Sequence, residues 1–189
     1  MAGVRCLLVI LCCVTLGCKS PKATNVYVPR LDEIAEVRAS ATNNYAPAVF
    51  AATPEFQVPP KYIPALLATF TPAIPTQNWR IDEETTVGTV RIRTSDHRAV
   101  VIRIGRSGQN PLFFTVDGIS CVRGGVYRPV EVWGEGGEGK EGYATEDGIL
   151  DNILHGIYRE EVEHKPVDYL EDEIKTLERS RGTRPPVRH

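Results

Sequence analysis

The stretch from Thr85 to Tyr127 constrains the fold most, because apolar and polar side chains alternate along it. An alternation with a period of two predicts β-strands that bury one face. The first two predicted strands run through Thr89–Arg93 and Ala99–Ile104, each with one apolar and one polar row. The apolar rows consist of Val90 and Ile92 in one strand and of Val100, Ile102 and Ile104 in the other.

These two strands form a hairpin with a buried face only if their apolar rows meet on one side. Ile92 must then lie opposite Val100. This pairing leaves Ser95, Asp96 and His97 as the loop. A slip of one residue would turn one apolar row towards solvent. The last residue of a three-residue loop usually adopts the left-handed conformation, which His tolerates, so we interpret His97 as a turn residue.

A second hairpin is centred on Asp117-Gly118, a dipeptide that favours a type I′ turn. Pairing Val116 with Ile119 places Phe114 opposite Cys121. The resulting apolar face consists of Leu112, Phe114, Val116, Ile119 and Cys121. The two hairpins together predict an antiparallel meander of four strands.

Apolar side chains at helical spacing, three or four residues apart, predict helices after and before this meander. One runs from Ile63 to Phe70 and starts close to Pro64, because proline is tolerated only in the first turn. We expect it to cover one face of the sheet. Another is capped by Thr145 or Asp147. Its apolar stripe is Ile149, Leu150, Ile153, Leu154, Ile157 and Tyr158, with His155 off the stripe.

A third helical segment opens at Pro166 and stops at Gly182. Its apolar stripe is thin, so we predict that this helix projects from the domain or packs on a partner. The stripe comprises Val167, Leu170, Ile174 and Leu177. A shorter amphipathic helix is predicted at Leu31–Arg38, where so short a segment depends on tertiary packing.

The composition is that of an ordinary globular domain, with 189 residues of which 24% are charged and 42% hydrophobic. The formal net charge of −2 gives no basic excess for nucleic-acid binding. We predict an α+β domain at 31–160, built as a small antiparallel meander of four to five strands packed by one or two helices. The fifth strand is expected at Pro129–Trp133. An extended tether at 18–30 precedes this domain, and a C-terminal helix at 161–182 and a disordered tail at 183–189 follow it.

Residues 1–18 have the features of an export signal. Met1–Arg5 is positively charged and Cys6–Leu16 is apolar. Gly17 is the small residue that a signal peptidase requires before Cys18. The apolar run has about eleven residues, whereas a membrane-spanning helix needs about twenty. The chain is therefore predicted to be exported without a stable transmembrane segment.

Leu16-Gly17-Cys18 resembles the lipobox of bacterial lipoproteins, with Thr15 at a position where such signals usually carry Leu. The resemblance implies that residues 1–17 are removed as a signal peptide and that Cys18 is acylated, for example with palmitate. It further implies a lipid anchor in the cell membrane or outer membrane, with the domain facing the periplasm or the exterior. The alternative is an ordinary secretory signal without lipid.

The order of a helix, Trp79, two hairpins and the bend at 123–125 also resembles domains of bacterial lipoproteins, but this resemblance implies no activity. From the residues, we assign no catalytic residue, cofactor or metal. Cys121 is predicted inside the apolar face, where cysteine is an inert small hydrophobe. Gly134–Gly142 satisfies G-x-G-x-x-G, but its glutamates would repel phosphate, so we interpret it as an acidic surface loop. Metal-ligand spacing is missing among the four histidines, which are His97, His155, His164 and His189.

Acidic residues at the second predicted helix offer a hydrolase hypothesis. Paired carboxylates are the chemistry of glycoside hydrolysis. Such a run of acids is also typical of a solvated helix face, the interpretation that we favour. The residues concerned are Asp147, Asp151, Glu160, Glu161 and Glu163.

Arg91, Arg93 and Arg103 share the polar face of the first hairpin in the register above. Charges at these positions keep an exposed sheet face soluble. They also form a candidate binding face for an anionic partner such as an acidic glycan, a phosphate headgroup or an envelope protein. The sequence therefore favours a non-catalytic binding or scaffold protein of the cell envelope, with a hydrolase of envelope polymers as the alternative.

Overall fold

The computed structural model describes residues 26–42, 52–77, 81, 85–106, 112–124, 131–132, 142–143 and 145–180. The described strands are β1 (Ile34–Ala41), β2 (Phe56–Gln57), β3 (Ala73–Pro75), β4 (Thr86–Thr94), β5 (Ala99–Gly105), β6 (Phe113–Val116), β7 (Ile119–Arg123), β8 (Glu131–Val132) and β9 (Gly142–Tyr143). The described helices are α1 (Ile63–Thr69), α2 (Glu146–Glu161) and α3 (Leu170–Ser180), with a 3-10 turn at Leu31–Glu33.

A sheet of seven strands in the order β2-β1-β4-β5-β6-β7-β3 forms the centre of the molecule, and every neighbouring pair is antiparallel. The predicted α+β class is therefore confirmed, with β4 to β7 as the expected meander. Four to five strands is an undercount, because β1 and β2 extend one edge of the meander and β3 extends the other. The fifth strand expected at Pro129–Trp133 corresponds to β8, which pairs with β9 in a separate two-stranded sheet.

The predicted helix at Leu31–Arg38 is wrong beyond its first turn. Only Leu31–Glu33 is helical, and β1 starts at Ile34. β1 pairs along the edge of β4, with Val37 opposite Ile92. A helix of two turns gains few internal hydrogen bonds, whereas the edge of β4 offers this segment a complete ladder.

Both hairpin registers are confirmed by the strand pairing. Ile92 lies opposite Val100, and Phe114 lies opposite Cys121. The loop residue His97 has a φ of 66°, as its interpretation as a turn residue requires. The predicted apolar face also includes Ile119, but this side chain is 46% exposed at the tip of the second hairpin. The positive φ values of the Asp117-Gly118 turn, 49° and 82°, are those of a type I′ turn.

The core lies between the apolar sheet face and the helices. α1 includes Pro64 in its first turn, as expected, and the ring of Phe70 at its end lies 5.3 Å from that of Phe114. α2 packs on β1 and β4. This contact is close at Gly88, where an added Cβ would lie 2.6 Å from Leu154 Cδ1. The side chains of α2 that enter the apolar core are Ile149, Leu150, Ile153, Leu154 and Ile157.

α3 packs against α2, so the prediction that it projects from the domain or needs a partner is wrong. Leu170 and Leu177 are buried. Gly156 allows the two helices to approach, because a Cβ there would lie 3.0 Å from Leu170 Cδ1. Asn152 Nδ2 also donates a hydrogen bond to Glu173 Oε1 at 2.9 Å. The thin apolar stripe of α3 is therefore sufficient to cover the outer side of α2.

Residues 26–30, at the end of the predicted tether, contact the folded body. Tyr27 donates a hydrogen bond to Glu33 Oε2 at 3.0 Å, and the guanidinium of Arg98 lies 4.1 Å from the centre of the Tyr27 ring. Val26 and Val28 pack on the core. Among the described helices, none has the length and apolar character needed to cross a bilayer.

Candidate functional site

Arg91, Arg93 and Arg103 lie on the sheet face turned away from the helices, and we call this set the arginine face. The β4–β5 register places Arg91 opposite Val101 and Arg103 opposite Thr89. All three arginines are exposed, while the alternating residues of the same strands are buried in the core. The side-chain arrangement expected from the hairpin register is therefore present.

Two of these arginines pair with carboxylates from neighbouring strands. Arg93 Nη2 lies 2.7 Å from Glu36 Oε2 on β1. Arg91 Nε lies 2.9 Å from Oε2 of Glu55, whose Oε1 accepts a hydrogen bond from Arg38 at 3.0 Å. Exposed pairs of this kind contribute about 0 to 1 kcal/mol each. Although these pairs are weak, Glu55 and Glu36 partly balance the positive charges of Arg91 and Arg93 before any ligand binds.

Arg103 differs from the other two arginines. Within the described part of the chain, no carboxylate forms an ion pair with its guanidinium. Its strand neighbours on this face are Thr89 on β4 and Thr115 on β6, which are uncharged. Arg103 therefore presents donor groups to solvent without an internal competitor from these residues.

A shallow depression of about 290 Å³ lies between Arg91 and Arg103 on the sheet surface. Its volume is at the lower end of the range for ligand sites, about 300 to 1,000 Å³. Val101 forms an apolar part of the lining, and Thr115 is only 6% exposed. The lining residues are Arg91, Val101, Arg103, Thr115, Asp117 and Gly118. Arg93 is not among them, so the depression uses two of the three predicted arginines.

Asp117 is held rigidly at the rim of this depression. Its Oδ1 accepts a hydrogen bond from Val101 N at 2.8 Å, and its own amide donates to Val101 O at 2.9 Å. The next residue, Gly118, opens the rim, because a Cβ there would meet no atom within 4 Å. The site thus combines guanidinium groups with a fixed carboxylate and an open side.

Sequence reasoning identified Arg91 and Arg103 but missed Thr115, Asp117 and Glu55. The missing signal for Thr115 was the β5–β6 register, since Arg103 lies opposite Thr115 in the sheet. That register depends on how β5 connects to β6, which the alternation of side chains does not determine. Glu55 reaches Arg91 because β2 pairs with β1, a contact between distant parts of the chain.

A second polar group of residues is buried at the start of α2. Glu146 Oε2 accepts hydrogen bonds from Leu112 N at 2.9 Å and from Arg123 Nε at 3.2 Å, and Arg123 Nη2 forms an ion pair with Glu146 Oε1. The two side chains are 4% and 0% exposed. The interpretation of 123–125 as a simple bend missed this pair, which joins β7 to α2.

Asp147 and Asp151 are buried on α2, so their placement on a solvated face is wrong. His155, predicted off the apolar stripe, is buried as well. Burial and then the nearby charge of Asp147 raise the pKa of Asp151 to about 7. Burial lowers the pKa of His155, although a hydrogen bond to the backbone of Thr42 acts in the opposite direction. Asp151 Oδ1 lies 3.6 Å from His155 Nε2. Asp151 is therefore a buried carboxyl group inside the domain whose pKa lies close to neutral pH.

Glu160 and Glu161 lie at the other end of α2, and Glu163 follows the helix and pairs with Lys165 at 2.8 Å. Glu160 accepts hydrogen bonds from Tyr62 at 2.6 Å and from Lys61 at 2.9 Å, which lower its pKa. Glu161 also lies 3.0 Å from Lys61 Nζ. Nine residues of helix separate Asp151 from Glu160, about 14 Å along the axis at about 1.5 Å per residue. Paired glycosidase carboxylates are at most about 9.5 Å apart.

Two further residues considered in the sequence, Cys121 and His164, lie in the described part of the chain. Cys121 is buried, and burial raises the pKa of its thiol, which fits an inert core residue. His164 is exposed in the α2–α3 connection with a φ of 53°. In the residues that the structure covers, no group of three or more His, Cys, Asp or Glu side chains is arranged to hold a metal ion.

Comparisons with protein-family models, with curated proteins and with solved structures find no match to the chain. Several predictions lie outside the described residues. They concern the signal peptide and Cys18, Trp79, the glycine-rich segment except for its last residue, Gly142, and His189.

Proposed function

We propose that this protein is a lipid-anchored binding or scaffold module of the bacterial cell envelope, and that its open sheet face binds an anionic group. The observation that carries the proposal is the 290 Å³ depression between Arg91 and Arg103. Acyl chains on Cys18 hold the module in the cell membrane or outer membrane, and the domain faces the periplasm or the exterior. The partner is an anionic envelope polymer or an envelope protein.

The guanidinium chemistry of Arg103 supports anion binding. Arginine offers a planar fork of donors that matches two oxygens of a carboxylate or phosphate. Arg103 is exposed and has no carboxylate partner among the described residues, so none of these residues competes with an incoming anion for its guanidinium. At Arg91 the same anion competes with Glu55. Arg103 is therefore the principal binding residue, Arg91 the second, and Arg93 contributes through its charge.

The arrangement of carboxylates favours binding over hydrolysis. A glycosidase of the usual kind needs two facing carboxylates in one cleft. Among the described residues, one carboxylate lines the depression, that of Asp117, and it is already hydrogen bonded to Val101 N. The acids of α2 considered for hydrolysis lie in the interior or beside Lys61. We therefore favour a non-catalytic role for the sheet face.

The anchor is supported by the lipobox-like Leu16-Gly17-Cys18. Two or more acyl chains attach a protein stably, at about 0.8 kcal/mol per buried CH₂. Cells fed a labelled fatty acid should incorporate the label into the wild-type protein and not into Cys18→Ala. Equal absence of label from both, or mature protein that begins at Met1, would contradict the anchor.

The binding role of the arginine face is tested by crosslinking in intact envelopes. The triple variant Arg91→Gln, Arg93→Gln, Arg103→Gln should lose neighbours that the wild-type protein recovers. Arg30→Gln serves as the control, because Arg30 is exposed, precedes β1 and pairs with Asp32. Identical sets of crosslinked neighbours for the wild-type protein and the triple variant would refute a binding role for the face.

A further inference from the structure

Resting on the proposed function, we infer that the ligand of the depression is an acidic sugar, a pyranose ring that carries a carboxylate. Its carboxylate lies against Arg103 and Arg91. Its hydroxyl groups face Asp117 and Thr115. The depression is thus a subsite for one unit of an acidic glycan.

The charge balance of the depression favours a monoanion over a phosphate dianion. Arg91 and Arg103 bring two positive charges to the lining, Asp117 brings one negative charge, and Glu55 already neutralises part of Arg91. A phosphate dianion would place more charge beside Asp117, and like charges repel. One carboxylate matches the remaining positive charge.

Asp117 also supplies an acceptor that a sugar can use. A carboxylate accepts hydrogen bonds at both oxygens and donates none when ionised. Oδ1 of Asp117 is held by Val101 N at 2.8 Å, which fixes the group and leaves acceptor sites for a ligand. Sugar hydroxyls are donors that match these sites, and a sugar acid presents several of them beside its carboxylate, whereas inorganic phosphate offers only its own P–OH groups. The carboxylate at the rim therefore selects a ligand that carries both an acid and hydroxyl groups.

The apolar and open parts of the lining suit a sugar ring that is one unit of a longer glycan. The half-buried Val101 offers an apolar surface to the C–H face of a pyranose. Thr115 adds a hydroxyl that is nearly buried in the lining. Open space at Gly118 leaves room for neighbouring units of a glycan. The volume of about 290 Å³ limits direct contact to about one such unit.

Isothermal titration calorimetry of the full chain in detergent tests this assignment with three probes. The probes are trigalacturonate, its methyl ester and inorganic phosphate. We expect trigalacturonate to bind at least about tenfold more tightly than the ester, which keeps the rings and loses the charge. Phosphate should bind more weakly than trigalacturonate.

Two variants locate the site, and one serves as the control. Arg103→Gln should weaken trigalacturonate binding at least about tenfold. Asp117→Asn keeps an oxygen for Val101 N and tolerates the positive φ, so the turn is preserved. It should weaken trigalacturonate binding and strengthen phosphate binding. Arg179→Gln changes an exposed arginine of α3 that does not line the depression, and should bind as the wild-type protein does.

The failures of the two proposals are distinguishable. Tighter binding of phosphate than of trigalacturonate, lost in Arg103→Gln, would overturn the acidic sugar and leave an anion-binding face. Equal affinity for trigalacturonate and its ester would also overturn the acidic sugar. If the wild-type protein bound neither anion and the crosslinked neighbours were unchanged in the triple variant, the proposed function itself would fail. Arg103→Lys, which keeps the charge and loses the fork, should give an intermediate affinity.

Discussion

Arg123 Nε donates a hydrogen bond to Glu146 Oε2 at 3.2 Å, between the end of β7 and the first turn of α2. The same oxygen accepts a hydrogen bond from Leu112 N at 2.9 Å. The buried carboxylate of Glu146 therefore joins the start of α2 to the two ends of the second hairpin, at Leu112 before β6 and at Arg123 in β7. This contact fixes where the start of α2 lies over the sheet.

Breaking this buried pair should destabilise the domain strongly. Arg123→Met leaves the Glu146 charge without its cation, and Glu146→Gln leaves the guanidinium of Arg123 without its anion. Each change should lower the free energy of unfolding by about 3 to 5 kcal/mol. Urea denaturation measures this loss. Arg93→Gln, which breaks an exposed pair, should cost less than about 1 kcal/mol, and an equal cost for both kinds of variant would contradict the account.

Asp151→Asn should stabilise the protein at high pH and not at low pH. The unfolded pKa of Asp is about 3.9. The folded pKa of Asp151 is about 7. As the pH rises from about 4 to about 7, the unfolded state has released a proton that the folded state retains, so the stability of the wild-type protein falls by up to roughly 4 kcal/mol. The neutral Asn side chain removes this loss.

The measurement is the difference in free energy of unfolding between Asp151→Asn and the wild-type protein, from about pH 5 to about pH 8. It should grow with pH and level off above about pH 7. Burial lowers the pKa of His155, so this residue makes the folded protein less stable as the pH falls. His155 is present in both proteins, so this effect is common to them. Asp168→Asn makes the same change at an exposed position and is the control variant. A flat difference for Asp151→Asn would contradict its neutral state in the fold.

Gly88→Ala should destabilise the contact between β4 and α2. The added Cβ would lie 2.6 Å from Leu154 Cδ1 and 3.1 Å from Ser40 O. Overpacking of this kind costs about 1 to 3 kcal/mol. Leu154→Val in the same protein removes the closer conflict, so the double variant should lose less stability than the two single losses added together. If the losses in stability were additive, the side chain of Leu154 would not be in close contact with position 88.

The left-handed conformation of His97 predicts how this position tolerates substitution. His97→Val forces a β-branched residue to a φ of 66° and should lower the free energy of unfolding by about 1 to 2 kcal/mol. His97→Gly should change it by less than about 0.5 kcal/mol, because glycine adopts this conformation readily. Thermal denaturation distinguishes the two. Similar effects of both substitutions would contradict the turn assignment.

The sequence predicts the hairpins well because their register depends on residues close in the chain. Ile92 opposite Val100 and Phe114 opposite Cys121 follow from side-chain alternation and turn residues alone. β1 was not predicted, because Leu31, Ile34 and Val37 also fit a helical spacing. The choice between helix and strand depends on the edge of β4, which is distant in the sequence. Local spacing cannot reveal such an edge.

The burial of Asp151 and His155 escaped prediction for a related reason. A stripe of apolar residues indicates the helix face that packs on the sheet, but α2 also packs against α3. Covering α2 from two directions buries polar residues beside the stripe. For the arginine face, local alternation identified Arg91 and Arg103, whereas Thr115 and Asp117 required the pairing of β5 with β6.

The anion-binding face is tested most directly by nuclear magnetic resonance, with the amide signals followed during titration with trigalacturonate and, separately, with inorganic phosphate. The account predicts that at least one of these anions shifts the signals of Val101, Arg103, Thr115 and Gly118, while those of α3 stay in place. Shifts confined to α2 and α3, or unchanged spectra with both anions, would contradict it.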